Sequence, residues 1–129
     1  MKVIRTNAAP TAIGPYSQAI AEGMLLFTSG QLPIDPNTGE LRNGDIVSAA
    51  EQALLNLQAV LVAGGADMST VLKTTVFLSD IGNFQAFNAV YAKFFRDPFP
   101  ARSCVQVGAL PKGALVEIEA VAVRKQEPA

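Results

Sequence analysis

The sequence predicts an α+β domain in which two helices pack on one face of a mixed β-sheet of about six strands. Two long segments, after Asp45 and after Asn83, repeat apolar residues with the 3.6-residue period of a helix. Shorter segments alternate with a period of two and are rich in β-branched residues, as strands are. The 129 residues contain no repeat, linker or low-complexity tract, which predicts a single domain, 1–129, with one core.

The first half of the chain is predicted to contain three strands and the longer helix. The predicted strands are residues 1–6, 17–21 and 24–29. The last two flank a turn at Glu22-Gly23 and are typical of a hairpin, and the turn-forming residues DPNTG (35–39) predict a surface loop. Asp45 is the predicted N-cap of a helix whose apolar stripe runs from Ile46 to Leu61, and Gly64-Gly65 ends that helix.

The second half is predicted to contain a strand, the second helix and two further strands. The first of these strands covers residues 70–78. An aromatic stripe from Phe84 to Phe95 predicts the helix, which Pro98 and Pro100 end. The last two strands are predicted at residues 102–107 and 116–123.

Charged residues interrupt both of these last strands. Because strand residues two apart share a face, Arg102 and Cys104 point the same way, and Glu117 and Glu119 lie on the face opposite Val116. Apolar residues on both faces predict that 116–123 is an interior strand. Its carboxylates must therefore be paired, line a cleft or lie at the exposed end of the strand.

Two helices can cover only one face of the predicted sheet. The strands at 24–29, 70–78 and 116–123 nevertheless carry apolar residues on both faces. We therefore expect the second face to meet another subunit in a homo-oligomer. A cleft at such a subunit boundary would accommodate the charged residues of the last strands and is a common place for a small-molecule site.

The composition excludes several function classes. Ten Lys and Arg residues against eleven Asp and Glu, without a basic run, argue against nucleic acid binding. The single cysteine excludes an internal disulfide, and the absence of histidine excludes a Ser-His-Asp triad and an imidazole metal site. The N-terminus lacks the apolar core of a signal peptide, and no apolar run reaches the ~18 residues of a membrane span. We expect a cytoplasmic protein with no membrane partner.

Several blocks of the sequence carry a resemblance to a known family. They are IGPYSQAI, FTSGQLPIDPNTGEL, KTTVFLSD, FNAVYAKFF, FPARSCVQV and VEIEAVAV, in this order along the chain. The sequence resembles the RidA/YjgF family of reactive intermediate deaminases from end to end. The resemblance implies a chorismate-mutase-like homotrimer with sites at the subunit interfaces. It also implies the cofactor-free and metal-free hydrolysis of 2-imino or 2-enamino acids, such as 2-aminoacrylate, to 2-keto acids and ammonia.

Arg102 and Glu117 are the predicted catalytic residues. An imino acid carries a carboxylate next to the reacting carbon, and Arg102 is always protonated and can bind a carboxylate with two parallel hydrogen bonds. A structural ion pair of Arg102 with Glu117 or Glu119 is the alternative. Glu117 matches the family position that orients the attacking water. A carboxylate within hydrogen-bond distance of a water molecule can orient it and accept its proton. Glu119 lies on the same face as Glu117 and is the alternative carboxylate. Its structural interpretation is a partner of Arg, Lys or the backbone.

The resemblance places six further residues at the substrate site. They are Tyr16, Ser29, Gly30, Gln31, Asn88 and Cys104. Tyr16 follows a Gly-Pro turn that can present its phenol to a cleft, and Gly30 permits a close backbone approach to a ligand. Three of the six have a structural alternative: a half-buried tyrosine with a satisfied hydroxyl for Tyr16, a structural hydrogen bond for Asn88, and a small buried hydrophobe for Cys104.

Three functions of different classes are compatible with these residues. Imine deamination is favoured because Arg102 and Glu117 are both present. The alternatives are a non-catalytic ligand-binding or holdase-like trimer, and a ribonuclease or translation inhibitor. The lack of a basic patch and of histidine argues against the last of these.

Overall fold

A six-stranded mixed sheet forms the centre of the protein in the computed structural model, which describes residues 1–125. The strands are β1 (Lys2–Ile4), β2 (Ala19–Glu22), β3 (Leu25–Thr28), β4 (Val71–Leu78), β5 (Ala101–Gln106) and β6 (Val116–Val123). Their order across the sheet is β1-β2-β3-β6-β4-β5, and only β4 and β5 run parallel. The helices are α1 (Ile46–Ala63) and α2 (Phe84–Tyr91). The predicted sheet with two helices is confirmed.

Some predicted boundaries differ from those of the structure. β2 begins at Ala19 rather than at residue 17; the side chain of Gln18 bonds to the preceding loop, and its carbonyl still accepts a hydrogen bond from the N–H of Ser29. α2 ends at Tyr91, before the end of the aromatic stripe. Beyond it, the backbone N–H groups of Phe94 and Phe95 both bond the Tyr91 carbonyl, so the stripe continues as a tight turn. The approaching Pro98 and Pro100 prevent a further helical turn.

Helix α1 is the central helix of the core. The predicted N-cap is confirmed, since the Asp45 carboxylate accepts a 2.7 Å hydrogen bond from the backbone N–H of Ser48. This helix is 18 residues long and apolar enough to span a membrane by length and composition, contrary to the expectation that no segment is. Half of it is buried inside the fold, which is the arrangement of a core helix.

The two faces of the sheet have different surroundings. Leu26, Val76 and Ile118 point towards the helices and are fully buried. On the opposite face, which we call the open face, Phe27 and Val105 are each 45% exposed. The apolar second face expected from the sequence is therefore present and uncovered in the single chain.

A bulge interrupts the pairing of β3 with β6. Phe27 pairs with Val121, but the next pair joins Gln31 to Ile118, so β3 carries one extra residue in this interval. The Thr28 hydroxyl accepts a 3.0 Å hydrogen bond from the backbone N–H of Ala120 and replaces part of the interrupted ladder. The bulge places Gly30 next to the Glu117 carboxylate of β6, while the N–H of Ser29 still bonds the carbonyl of Gln18.

Candidate functional site

A cleft of about 840 Å³ opens beside the bulge. Its walls are the loop before β2, the segment that follows β3, the turn before β6 and the first half of β6 itself. The predicted site residues that line it are Tyr16, Ser29, Gly30, Gln31 and Glu117. Glu119 lines it as well. The structure therefore brings together the residues of the N-terminal motifs and the predicted water-orienting carboxylate.

Glu117 lies directly against the backbone of Gly30. A Cβ atom added to Gly30 would stand 2.7 Å from Cδ and 3.0 Å from Oε1 of Glu117, so only glycine leaves room for this carboxylate. Burial raises the pKa of the half-buried Glu117, and the neighbouring charge of Glu119 raises it further. A carboxylate with a raised pKa is a better proton acceptor for water.

Ser29 and Gln31 hold the bulge in place. The Ser29 hydroxyl donates to the carbonyl of Ser17, which leaves its oxygen lone pairs for a further donor. Gln31 is only 5% exposed, its side chain donates to the Ser29 carbonyl, and its backbone bonds Ile118 in both directions. Gln31 thus lines the cleft mainly as a support for its wall.

Tyr16 stands at the mouth of the cleft. Its backbone N–H closes the turn by bonding the Gly14 carbonyl at 2.8 Å, and the residue is 52% exposed. Within residues 1–125 its hydroxyl has no hydrogen-bond partner. The structural alternative, a half-buried tyrosine with a satisfied hydroxyl, is therefore wrong, and the phenol is accessible to a ligand.

Arg102, Asn88 and Cys104 form a second group, away from this cleft. Arg102 lies on the edge strand β5, on the face that the helices cover, because it pairs with the buried Thr74. One of its Nη atoms donates to Oδ1 of Asn88 at 2.7 Å. Its Cζ lies 4.7 Å from the ring centroid of Tyr91. The sequence analysis correctly placed Arg102 and Cys104 on one face.

The predicted catalytic residues are not neighbours within one chain. Glu117 pairs with Phe77 on the open face, whereas Arg102 points to the opposite side of the sheet. The alternative prediction, an ion pair of Arg102 with Glu117 or Glu119, is therefore wrong. The two ion pairs among residues 1–125 join the Met1 amino group to Glu22 and Lys125 to Asp67.

Cys104 is partly buried against the hydrophobic core. Burial raises the pKa of its thiol, an effect that the charge of Arg102 opposes. The thiol is thus protonated and a weak nucleophile at neutral pH.

The 125 described residues also contain no group of three or more His, Cys, Asp or Glu side chains placed to hold a metal ion.

Two features of the cleft were missed in the sequence. Lys112 lines it with a left-handed backbone, at φ 59°, on the turn before β6. The Asn56 amide, 1% exposed, donates to the carbonyls of Leu32 and Ile34 and so anchors the wall that follows β3 to α1. An amide within the apolar stripe of a helix was the available signal for Asn56. Nothing local marked Lys112.

Comparison with known proteins gives matches along almost the whole chain. Residues 6–124 match the family model described as Endoribonuclease L-PSP. The chain is 61% identical over 118 residues to a RutC family protein of Sinorhizobium fredii, covering 92% of this chain and 94% of that protein. It is 48% identical over 123 residues to human 2-iminobutanoate/2-iminopropanoate deaminase, covering 95% and 90%. The crystal structure of RidA from an Antarctic Psychrobacter superposes with a TM-score of 0.92 at 43% identity, covering 95% of this chain and 99% of that one.

Proposed function

The chain belongs to the endoribonuclease L-PSP family, which includes RidA, and from this membership we propose that it hydrolyses 2-imino and 2-enamino acids to 2-keto acids and ammonia. A relative 48% identical carries the name 2-iminobutanoate/2-iminopropanoate deaminase, which supports this activity. The proposed substrates include 2-aminoacrylate, and the proposed catalytic residues are Arg102 and Glu117.

The observation that carries the proposal is the state of Arg102. Its guanidinium is held by an amide oxygen at 2.7 Å and by an aromatic face, with no carboxylate partner within residues 1–125. Asn88 accepts only one of the five N–H donors of an arginine. A cation fixed in this way, with donors to spare, is suited to binding the carboxylate of a ligand in a bidentate manner.

The position of Arg102 on the opposite side of the sheet from Glu117 supports a site shared by two subunits. We propose a homotrimer in which the open face of one chain meets the β5 edge of the next. The neighbour would then bring Arg102, Asn88 and Cys104 to the cleft that holds Glu117. The uncovered apolar side chains of the open face, Phe27 and Val105 among them, favour such a contact.

The proposed reaction begins with the imine tautomer of the substrate, its carboxylate bound by Arg102. Glu117 accepts a proton from a water molecule while the water oxygen bonds to the C2 carbon; as the imine π bond opens, the nitrogen takes up this proton, and Glu117 is a carboxylate again. In the resulting carbinolamine the C–N bond breaks and its electron pair leaves with the nitrogen. The nitrogen departs as ammonia with the proton of the hydroxyl group, and the keto acid remains.

The test generates the imine in place. A serine or threonine dehydratase supplies it, and the appearance of the 2-keto acid is followed with and without the full-length protein. We expect the protein to accelerate keto acid release, and we expect Arg102→Ala and Glu117→Gln each to abolish most of this effect. Equal rates with and without the protein would refute deamination, and tight binding of a 2-keto acid in that case would indicate the non-catalytic trimer.

A further inference from the structure

The guanidinium of Arg102 lies over an aromatic surface. The centroid of the Tyr91 ring is 4.7 Å from its Cζ, and that of Phe84 is 5.6 Å away. Both rings belong to helix α2, which also supplies the Asn88 oxygen. Distances below about 6 Å over a ring face are those of a cation–π interaction. Three side chains of one helix therefore surround the charge of the proposed carboxylate-binding arginine.

Tyr91 is the most firmly fixed of these three side chains. It is 6% exposed, its hydroxyl shares a 2.9 Å hydrogen bond with the buried Thr74, and its ring stacks on Phe95 at 4.4 Å. Burial raises the pKa of Tyr91, so the phenol is neutral at physiological pH. The guanidinium thus rests on a rigid neutral ring, and its charge is not cancelled.

We propose that Tyr91 is a positioning residue, which holds the Arg102 guanidinium by its ring face in the orientation that binds the substrate carboxylate. This inference rests on the proposed function, in which Arg102 binds that carboxylate. The Tyr91 hydroxyl is hydrogen-bonded to Thr74 and the Tyr91 ring is stacked on Phe95, so the ring is held in place.

A purely structural role for Tyr91 predicts different results. In that case the loss of the ring would lower stability and leave the affinity of the folded protein for a carboxylate unchanged. Tyr91→Phe separates the two roles, because it removes the hydrogen bond to Thr74 but retains the face beneath Arg102. Tyr91→Leu removes the face. Phe94→Leu is the matched control, because Phe94 packs partly buried against the same core and makes no ring contact with Arg102.

The experiment measures two quantities on the full-length protein and these variants. The first is the dissociation constant of 2-oxobutanoate, a stable 2-keto acid. The second is the NMR shift of the Arg102 Nε–H proton, which a ring face beneath the guanidinium moves upfield. We expect Tyr91→Leu to raise the dissociation constant of 2-oxobutanoate roughly 5- to 30-fold and to abolish the upfield shift. Tyr91→Phe and Phe94→Leu should remain within about twofold of the wild-type affinity and keep the shift.

The turnover of the imine gives the second arm of the test. Tyr91→Leu should raise KM more than it lowers kcat, because the ring acts on carboxylate binding. An unchanged affinity for 2-oxobutanoate in the folded Tyr91→Leu variant would overturn the inference, and Tyr91→Met serves in its place if the leucine variant does not fold. Absence of hydrolysis by the wild-type protein would instead refute the proposed function, and the Nε–H shift distinguishes the two failures.

Discussion

Replacement of Gly30 by alanine tests directly whether the position of Glu117 matters. The backbone of Gly30 does not lie in the left-handed region, so alanine can adopt its conformation. The new Cβ atom would stand 2.7 Å from Cδ and 2.9 Å from Cγ of Glu117, whereas ordinary contacts begin at 3.4 Å. The Glu117 carboxyl group must therefore move by about 0.7 Å or more.

The expected effects on activity and on stability differ in size. A displacement of about 1 Å of a reacting group costs on the order of 100-fold in rate, or about 2.7 kcal/mol. Because the end of the Glu117 side chain can turn aside, the clash should change the free energy of unfolding by only about 1 kcal/mol. We therefore expect Gly30→Ala to melt close to the wild type and to lose about 99% of kcat/KM.

The assay measures keto acid release from an imine generated in place, with thermal melting in parallel. Gly44→Ala is the control, because a Cβ atom there meets nothing within 4 Å, and its activity should be unchanged. Glu117→Gln should add little to the loss in a Gly30→Ala background, since both changes remove the same function. Full activity of Gly30→Ala, with Glu117 displaced in its crystal structure, would refute the assignment of Glu117.

Four further predictions follow from the site. Arg102→Ala should lose roughly 30- to 1000-fold in kcat/KM, and Arg102→Lys should also lose substantially because lysine lacks the planar fork; wild-type kinetics with a much lower melting temperature would indicate a structural arginine. Glu119→Gln removes the charge that raises the pKa of Glu117, so the acid limb of the pH–rate profile should move to lower pH. Cys104→Ala should keep most activity, since burial keeps the thiol protonated, and near-total loss in a folded variant would indicate covalent chemistry. Sedimentation should find a trimer, and a stable monomer at micromolar concentration would refute the shared site.

Local signals in the sequence were sufficient to predict the helices and strands of the fold. The N-cap at Asp45 depends on one carboxylate, which accepts a hydrogen bond from the N–H of Ser48 three residues later. The shared face of Arg102 and Cys104 depends only on the two-residue period of a strand. Both were predicted correctly because the physical cause lies within a few residues of the effect.

The arrangement of the site was harder to predict because it depends on pairing between distant strands. Whether Arg102 and Glu117 share a face follows from two registers, Thr74 with Arg102 and Phe77 with Glu117. A change of one residue in either register would move one of them to the other face. The bulge that brings Gly30 against Glu117 is likewise a property of the β3–β6 pair. Its only local signal was the glycine.

The separation of the two charges across the sheet has a physical consequence for the proposed site. An arginine and a glutamate close together on one face would form an ion pair, and each would satisfy the donors or acceptors that a substrate needs. Here β4 lies between the strands of Arg102 and Glu117, and the two residues are on opposite faces. On opposite faces they cannot neutralise each other as the chain folds. Arg102 instead satisfies one donor with a neutral amide and places its charge over a neutral ring, so it keeps both its charge and its remaining donors. A site that joins the two groups through assembly therefore receives a cation and a base that are both still available for a substrate.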